Sequence, residues 1–115
     1  MIGDQARGVT AQSMLDIRSR RGNLFPGELF SEFAWEMMLR LFVALVENRV
    51  MSEAHLIDES AVHISCGRRW INHLVHDKRV ARQGSYDMIL TANTVAQLRE
   101  FLDEAKAIRD RASVA

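Results

Sequence analysis

A chain of 115 residues, 48% apolar and 26% charged, has the ordinary make-up of one soluble globular domain and can bury a core without disulfides or metal. Its 15 basic residues balance 15 acidic ones, so the molecule as a whole has no bulk attraction for nucleic acid. The one cysteine, Cys66, excludes an internal disulfide, and the longest apolar run, 33-FAWEMMLRLFVALV-46, is broken by Glu36 and Arg40 and too short to span a bilayer.

From the N-terminus, MIGDQARGVTAQS lacks the basic-then-apolar order of a secretory signal, so the expected compartment is a reducing cytoplasm. The segment 10-TAQSMLDIRSRR-21 opens on a possible Thr10 cap and predicts a short, weakly amphipathic helix. The stretch 22-GNLFPG-27 holds the only proline, Pro26, and separates this helix from the next. Ser31 then caps a helix of about four turns with Trp35, Met38, Leu39, Phe42, Val43 and Val46 on one face. Met37, Leu41 and Leu45 form a second apolar stripe, as expected of a helix central to the core or touching a partner chain.

Ser52 caps a short helix with Ala54, Leu56, Ile57 and Ala61 among its core candidates, and Val62 and His63 connect it to a second one. In 65-SCGRRWINHLVHDK-78 the helical repeat puts Ile64, Gly67, Ile71, Leu74 and Val75 on one face, with Ser65, Cys66, Arg69, His73 and His76 opposite. Gly67 costs a helix about 1 kcal/mol relative to alanine, which points to close packing against the preceding helix. The runs 79-RVARQ-83 and 88-MILT-91, separated by 84-GSYD-87, predict a small hairpin. Thr91 caps a last, long helix whose Val95, Leu98, Leu102, Ala105, Ile108 and Ala112 recur at intervals of three and four. The fold class is therefore mainly α with a small β-hairpin: a winged helix-turn-helix with long N- and C-terminal helices, in one domain over 1–115. Its helix-turn-helix spans about 52–77, its wing about 79–91 and its C-terminal dimerisation helix about 92–112.

Charge is unevenly spread along this order. Residues 68–82 hold Arg68, Arg69, Lys78, Arg79 and Arg82 against Asp77, a net +4. Residues 17–27 add Arg18, Arg20 and Arg21 with no acid, whereas 28–59 carry a net −5. Separation of this kind orients a neutral molecule toward a polyanion.

From about Arg20 to Leu102 the chain resembles the MarR-like winged-helix domains of small bacterial proteins. The resemblance rests on 20-RRGNLFPGELF-30, 32-EFAWEMMLRLF-42, 65-SCGRRWINHL-74 and 90-LT-91, above all on Ala34-Trp35 with Met37 to Leu41 and on Arg69-Trp70-Ile71 with Leu74. It implies a homodimer that binds double-stranded DNA. Three departures stand out: Phe33 replaces a helix-starting proline, Ser65-Cys66-Gly67-Arg68 replaces a Thr-Thr-Ala-Leu-like run, and the wing loop lacks the family's Asp-x-Arg element. A wing clipped to Gly84-Ser85-Tyr86-Asp87 offers the minor groove no arginine.

On this reading Arg69 is the candidate for a bidentate bond to guanine, with Ser65, Cys66, Asn72 and His73 beside it on the outward face. Arg68, Lys78, Arg79 and Arg82 suit phosphate. Met14, Leu15 and Ile17, with Leu98, Leu102, Ala105 and Ile108, are the candidate dimer interface. His73, His76 and Cys66 fall short of the three or four converging ligands of a zinc site, and no nucleophile elbow, phosphate loop or convincing carboxylate pair is present. No cofactor, metal or enzymatic activity is therefore expected. The alternative is a winged-helix module that has lost DNA binding and docks a protein partner through Met37, Leu41 and the last helix.

Overall fold

The computed structural model describes residues 2–24, 32–60 and 62–114. Its elements run α1 (Ile2–Leu24), α2 (Glu32–Val46), α3 (Glu53–Glu59), α4 (Ile64–His76), β1 (Val80–Gln83), β2 (Asp87–Leu90) and α5 (Ala92–Val114). They divide into two compact units, residues 1–27 with 97–115 and residues 28–96. The expected caps and core positions at Ser31 and Ala61, and residues 25–27 of the proline-containing separator, lie outside the described residues, as does the Ala112 side chain.

The unit formed by residues 28–96 is a winged helix. Its core takes Met37, Met38 and Leu41 from α2, Leu56 and Ile57 from α3, Ile71 and Leu74 from α4, and Val80, Met88 and Leu90 from the hairpin. The face of α2 turned inward carries Ala34, Met37, Met38, Leu41 and Ala44. The stripe expected to be the main one lies only partly inside: Trp35 is buried and Leu39 and Phe42 are half-buried, but Val43 and Val46 are exposed. Both stripes were apolar enough to serve, so apolarity alone could not choose between them.

Local chemistry sets each boundary. Ser52 Oγ accepts from the His55 backbone N–H at 3.1 Å, a cap contributing about 1 kcal/mol to a seven-residue helix. α4 begins one residue earlier than expected because His63 is its cap: Nδ1 accepts from the Ser65 backbone N–H at 3.2 Å. Ile64, expected on the buried face, is in consequence in the first turn and 51% exposed. Gly67, Ile71 and Leu74 are buried as the periodicity requires. A Cβ on Gly67 would lie 2.7 Å from both Ile57 Cγ1 and Cγ2, so only glycine lets α4 approach α3 this closely.

α2 and α4 both end in a Schellman motif. Arg49 N–H donates to Ala44 O and Asn48 N–H to Leu45 O; Arg79 N–H donates to Leu74 O and Lys78 N–H to Val75 O. The left-handed residue at the two ends is Asn48, with φ of 55°, and Lys78, with φ of 60°. Asparagine tolerates this conformation; lysine is an unusual choice for it.

β1 and β2 pair antiparallel with Val80 opposite Leu90 and Gln83 opposite Asp87, joined by a turn in which Gly84 has a φ of 65°. An isolated bridge from this hairpin to the residues before α3 was not expected. Met88 N–H donates to Met51 O, Glu53 N–H donates to Tyr86 O, and Ser52 bridges Asp87, so the wing is hydrogen-bonded to the start of α3. Thr91 closes the hairpin onto α5: its hydroxyl donates to Lys78 O at 2.9 Å and its carbonyl accepts from Val95 N–H.

In the other unit α1 is nearly twice as long as expected, 23 residues beginning at Ile2. Only Val9, Ser13, Ile17 and Arg21 among its described side chains are even half-buried, a stripe one residue wide repeating every fourth position. Arg20 forms a two-pronged ion pair with Glu104 on α5. The hydrogen bond and charge of Arg20 hold the Glu104 carboxyl below its ordinary value. No helix among the described residues is long and apolar enough to cross a membrane.

Candidate nucleic-acid interface

The outward face of α4 follows from the inward one. With Gly67, Ile71 and Leu74 fixed against α2, α3 and the hairpin, the helical repeat turns Ser65, Arg69, Asn72, His73 and His76 to solvent. These five and Arg68 line one open groove along the helix. Cys66 is exposed in the first turn but does not line that groove. Arg68 also lines a cleft on the other side, with Ser52, Ile57, Ile64 and Tyr86. Arg68 and Arg69 thus stand at adjacent positions, each exposed and neither hydrogen-bonded nor ion-paired to any described residue.

The other basic residues differ. Arg79 is largely covered, its side chain 14% exposed, and Nε donates to Asp77 Oδ2 at 2.8 Å. Arg82 donates from Nη1 to Glu53 Oε2 and from Nη2 to Asn72 Oδ1, both at 2.9 Å. The net +4 counted along 68–82, which already sets Asp77 against Arg79, overstates the free charge by one, because Glu53, outside the counted window, answers Arg82. The unpaired cations at the helix are Arg68, Arg69 and Lys78, among the described residues.

Two partners orient the groove residues. Ser65 Oγ lies 2.8 Å from His63 Nδ1, so the hydroxyl is engaged in the capping turn. Trp70 is half-buried, and its indole leans on the His73 ring with centroids 5.7 Å apart and planes tilted by 50°. Sequence reasoning missed His63 because histidine is an uncommon cap. It missed the Glu53–Arg82–Asn72 chain because its members lie 29 and 10 residues apart. Among the described residues no three His, Cys, Asp or Glu side chains gather as metal ligands would.

The candidate dimer residues all fall in the unit of residues 1–27 and 97–115. Met14 and Leu15 are 66% and 59% exposed, and Ile17, Leu102 and Ala105 are half-buried. Leu98 and Ile108 are already buried within a single chain, as is Phe101, which the periodic stripe omitted.

No protein-family model and no curated protein sequence matches this chain. Among solved structures the fold is similar to that of apo (heme-free) PefR, with a TM-score of 0.57 at 14% identity over 93% of this chain and 97% of that one. At that identity the likeness is one of fold, and the fold is the winged helix.

Proposed function

We propose that the protein is a MarR-like transcriptional regulator that acts in the cytoplasm, binding double-stranded DNA as a homodimer with α4 in the major groove. One observation carries the reading: on the helix that this fold offers to DNA, Arg68 and Arg69 are exposed and unpaired, and Lys78 extends from a left-handed backbone position at its end. Glycine would suit that position better, and a lysine held there at a conformational cost fits a role in contacting phosphate. The solved winged-helix neighbour, a heme-free form of PefR, belongs with this reading through its fold. Two copies related by a two-fold axis would set their α4 helices about 34 Å apart, matching a palindromic operator.

Selection from a random duplex pool at two salt concentrations tests this. The expected result is an enriched sequence whose discrimination falls by about 1–3 kcal/mol in Arg69→Ala, while Lys78→Ala weakens all duplexes alike and lowers the salt slope by about one. A folded Arg69→Ala protein that binds every duplex as weakly and indiscriminately as wild type removes the proposal.

A second reading, a winged-helix module that docks a protein, draws on α2. There Val43, Leu45 and Val46, with Val50 just beyond, are 46%, 49%, 66% and 77% exposed. Met37 and Leu41, expected to carry such a contact, are buried instead. Val46→Asp would abolish partner binding on this reading and leave DNA binding intact on the first.

A further inference from the structure

The chain Glu53–Arg82–Asn72 joins three elements: the first turn of α3, strand β1 of the wing and the outward face of α4. Guanidinium has donors and no acceptor, so the atom of Asn72 turned toward Arg82 must be its amide oxygen. Glu53 Oε2 takes another hydrogen of the same guanidinium at 2.9 Å, which holds the fork in place and offsets its charge. The Asn72 side chain is exposed and lines the α4 groove. With its oxygen directed at Arg82, the amide directs its NH2 group the other way.

We propose that Arg82 is a positioning residue that makes Asn72 a one-sided donor, so that Asn72 discriminates against cytosine, the one base with no major-groove acceptor, and gives up the two-bond preference for adenine that a free asparagine has. An unrestrained asparagine reads adenine by accepting from N6–H and donating to N7. An amide that offers only N–H finds an acceptor on guanine (O6 and N7), thymine (O4) and adenine (N7), but it cannot accept from adenine N6 and it meets the N4 amino group of cytosine donor to donor. The inference rests on the proposed DNA-binding role of α4 and adds to it a base class and a residue that sets it.

The test uses the full chain and duplexes from the selected site. The position read by Asn72 is the one whose discrimination disappears in Asn72→Ala, and duplexes carrying each base there are compared. Wild type is expected to disfavour cytosine by about two- to tenfold against each of the other three bases, the worth of one hydrogen bond, with no preference for adenine among those three. Arg82→Ala, which frees the oxygen, should move the preference to adenine. Asn72→Asp keeps the contact with Arg82 but presents an acceptor, so it should move the preference to the amino bases even where Arg82→Ala folds poorly. A purely structural Arg82 would change affinity for every duplex and leave the base order untouched. An adenine preference in wild type, an unchanged base order in both variants, or an Asn72→Ala protein with wild-type discrimination overturns the proposal and leaves the regulator reading standing. Loss of all sequence preference in wild type overturns both.

Discussion

The two units of the chain are stabilised by different means. The winged helix of residues 28–96 closes its own core: Met37, Met38, Leu56, Ile71, Val80 and Met88 are almost wholly buried, and Ser52, His63 and Thr91 cap the starts of α3, α4 and α5. α1 in the other unit has no such interior. It runs for 23 residues with a half-buried stripe one residue wide, and it leaves Met14 and Leu15 in solvent. A helix draws most of its stability from packing an apolar face, not from propensity. The contrast teaches that the winged helix is specified from within, whereas α1 leaves apolar side chains, Met14 and Leu15, exposed to solvent.

The largest expected effect strikes the self-contained unit. Ile71→Ala removes a fully buried side chain where α4 meets the core and should cost about 2–5 kcal/mol in urea unfolding, independent of protein concentration. The next strikes the other unit. Leu15→Asp alters a residue 59% exposed in the single chain, so secondary structure at low concentration should be retained while sedimentation shifts from dimer to monomer. A wild type already monomeric at about tens of micromolar would show that the exposed stripe of α1 serves something other than self-association.

A smaller effect carries two signs. Lys78→Gly relieves a left-handed lysine and should stabilise the winged helix by about 0.5–1 kcal/mol, while lowering the salt dependence of the proposed DNA binding. Stability gained together with affinity lost would separate the structural from the functional demand at that position. The smallest effect concerns pH. Arg20 lowers the Glu104 carboxyl below its ordinary value, so the pair's contribution is complete above about pH 4.5 and is lost as pH falls through the lowered value. Glu104→Gln should flatten this part of the acid-unfolding curve, and because both partners are solvent-accessible the change should be slight.

Sequence periodicity was most informative where one face is buried by several neighbours at once. It placed Gly67, Ile71 and Leu74 of α4 inside, it found the Ser52 cap, and its reason for Gly67 matches the contact with Ile57. It located the hairpin to within a residue or so of its observed strands. It failed on α1, whose first eight residues, beginning at Ile2, carry no apolar stripe to recognise. It also misjudged α2, where two apolar stripes compete and only the tertiary neighbours decide. Charge counting along the chain singled out the region of α4 and β1 yet could not see that Arg82 is answered by Glu53 from another element. Ion pairing, like the backbone bonds that add Met51 and Ser52 to the wing, belongs to the folded arrangement.

Those backbone bonds also bear on time. The wing projects only the short turn of Gly84, Ser85 and Tyr86, and the amides of Met88 and Glu53 point into the seam between the hairpin and the start of α3. For either amide to exchange its hydrogen with solvent, the hairpin must part from α3, so their exchange rates report the opening of this seam alone. A wing stitched along its base in this way moves with the helices beside it, and its tip is too short to swing independently. Binding that involves it would show the fast on-rates of a preformed surface, without a slow loop-closing phase.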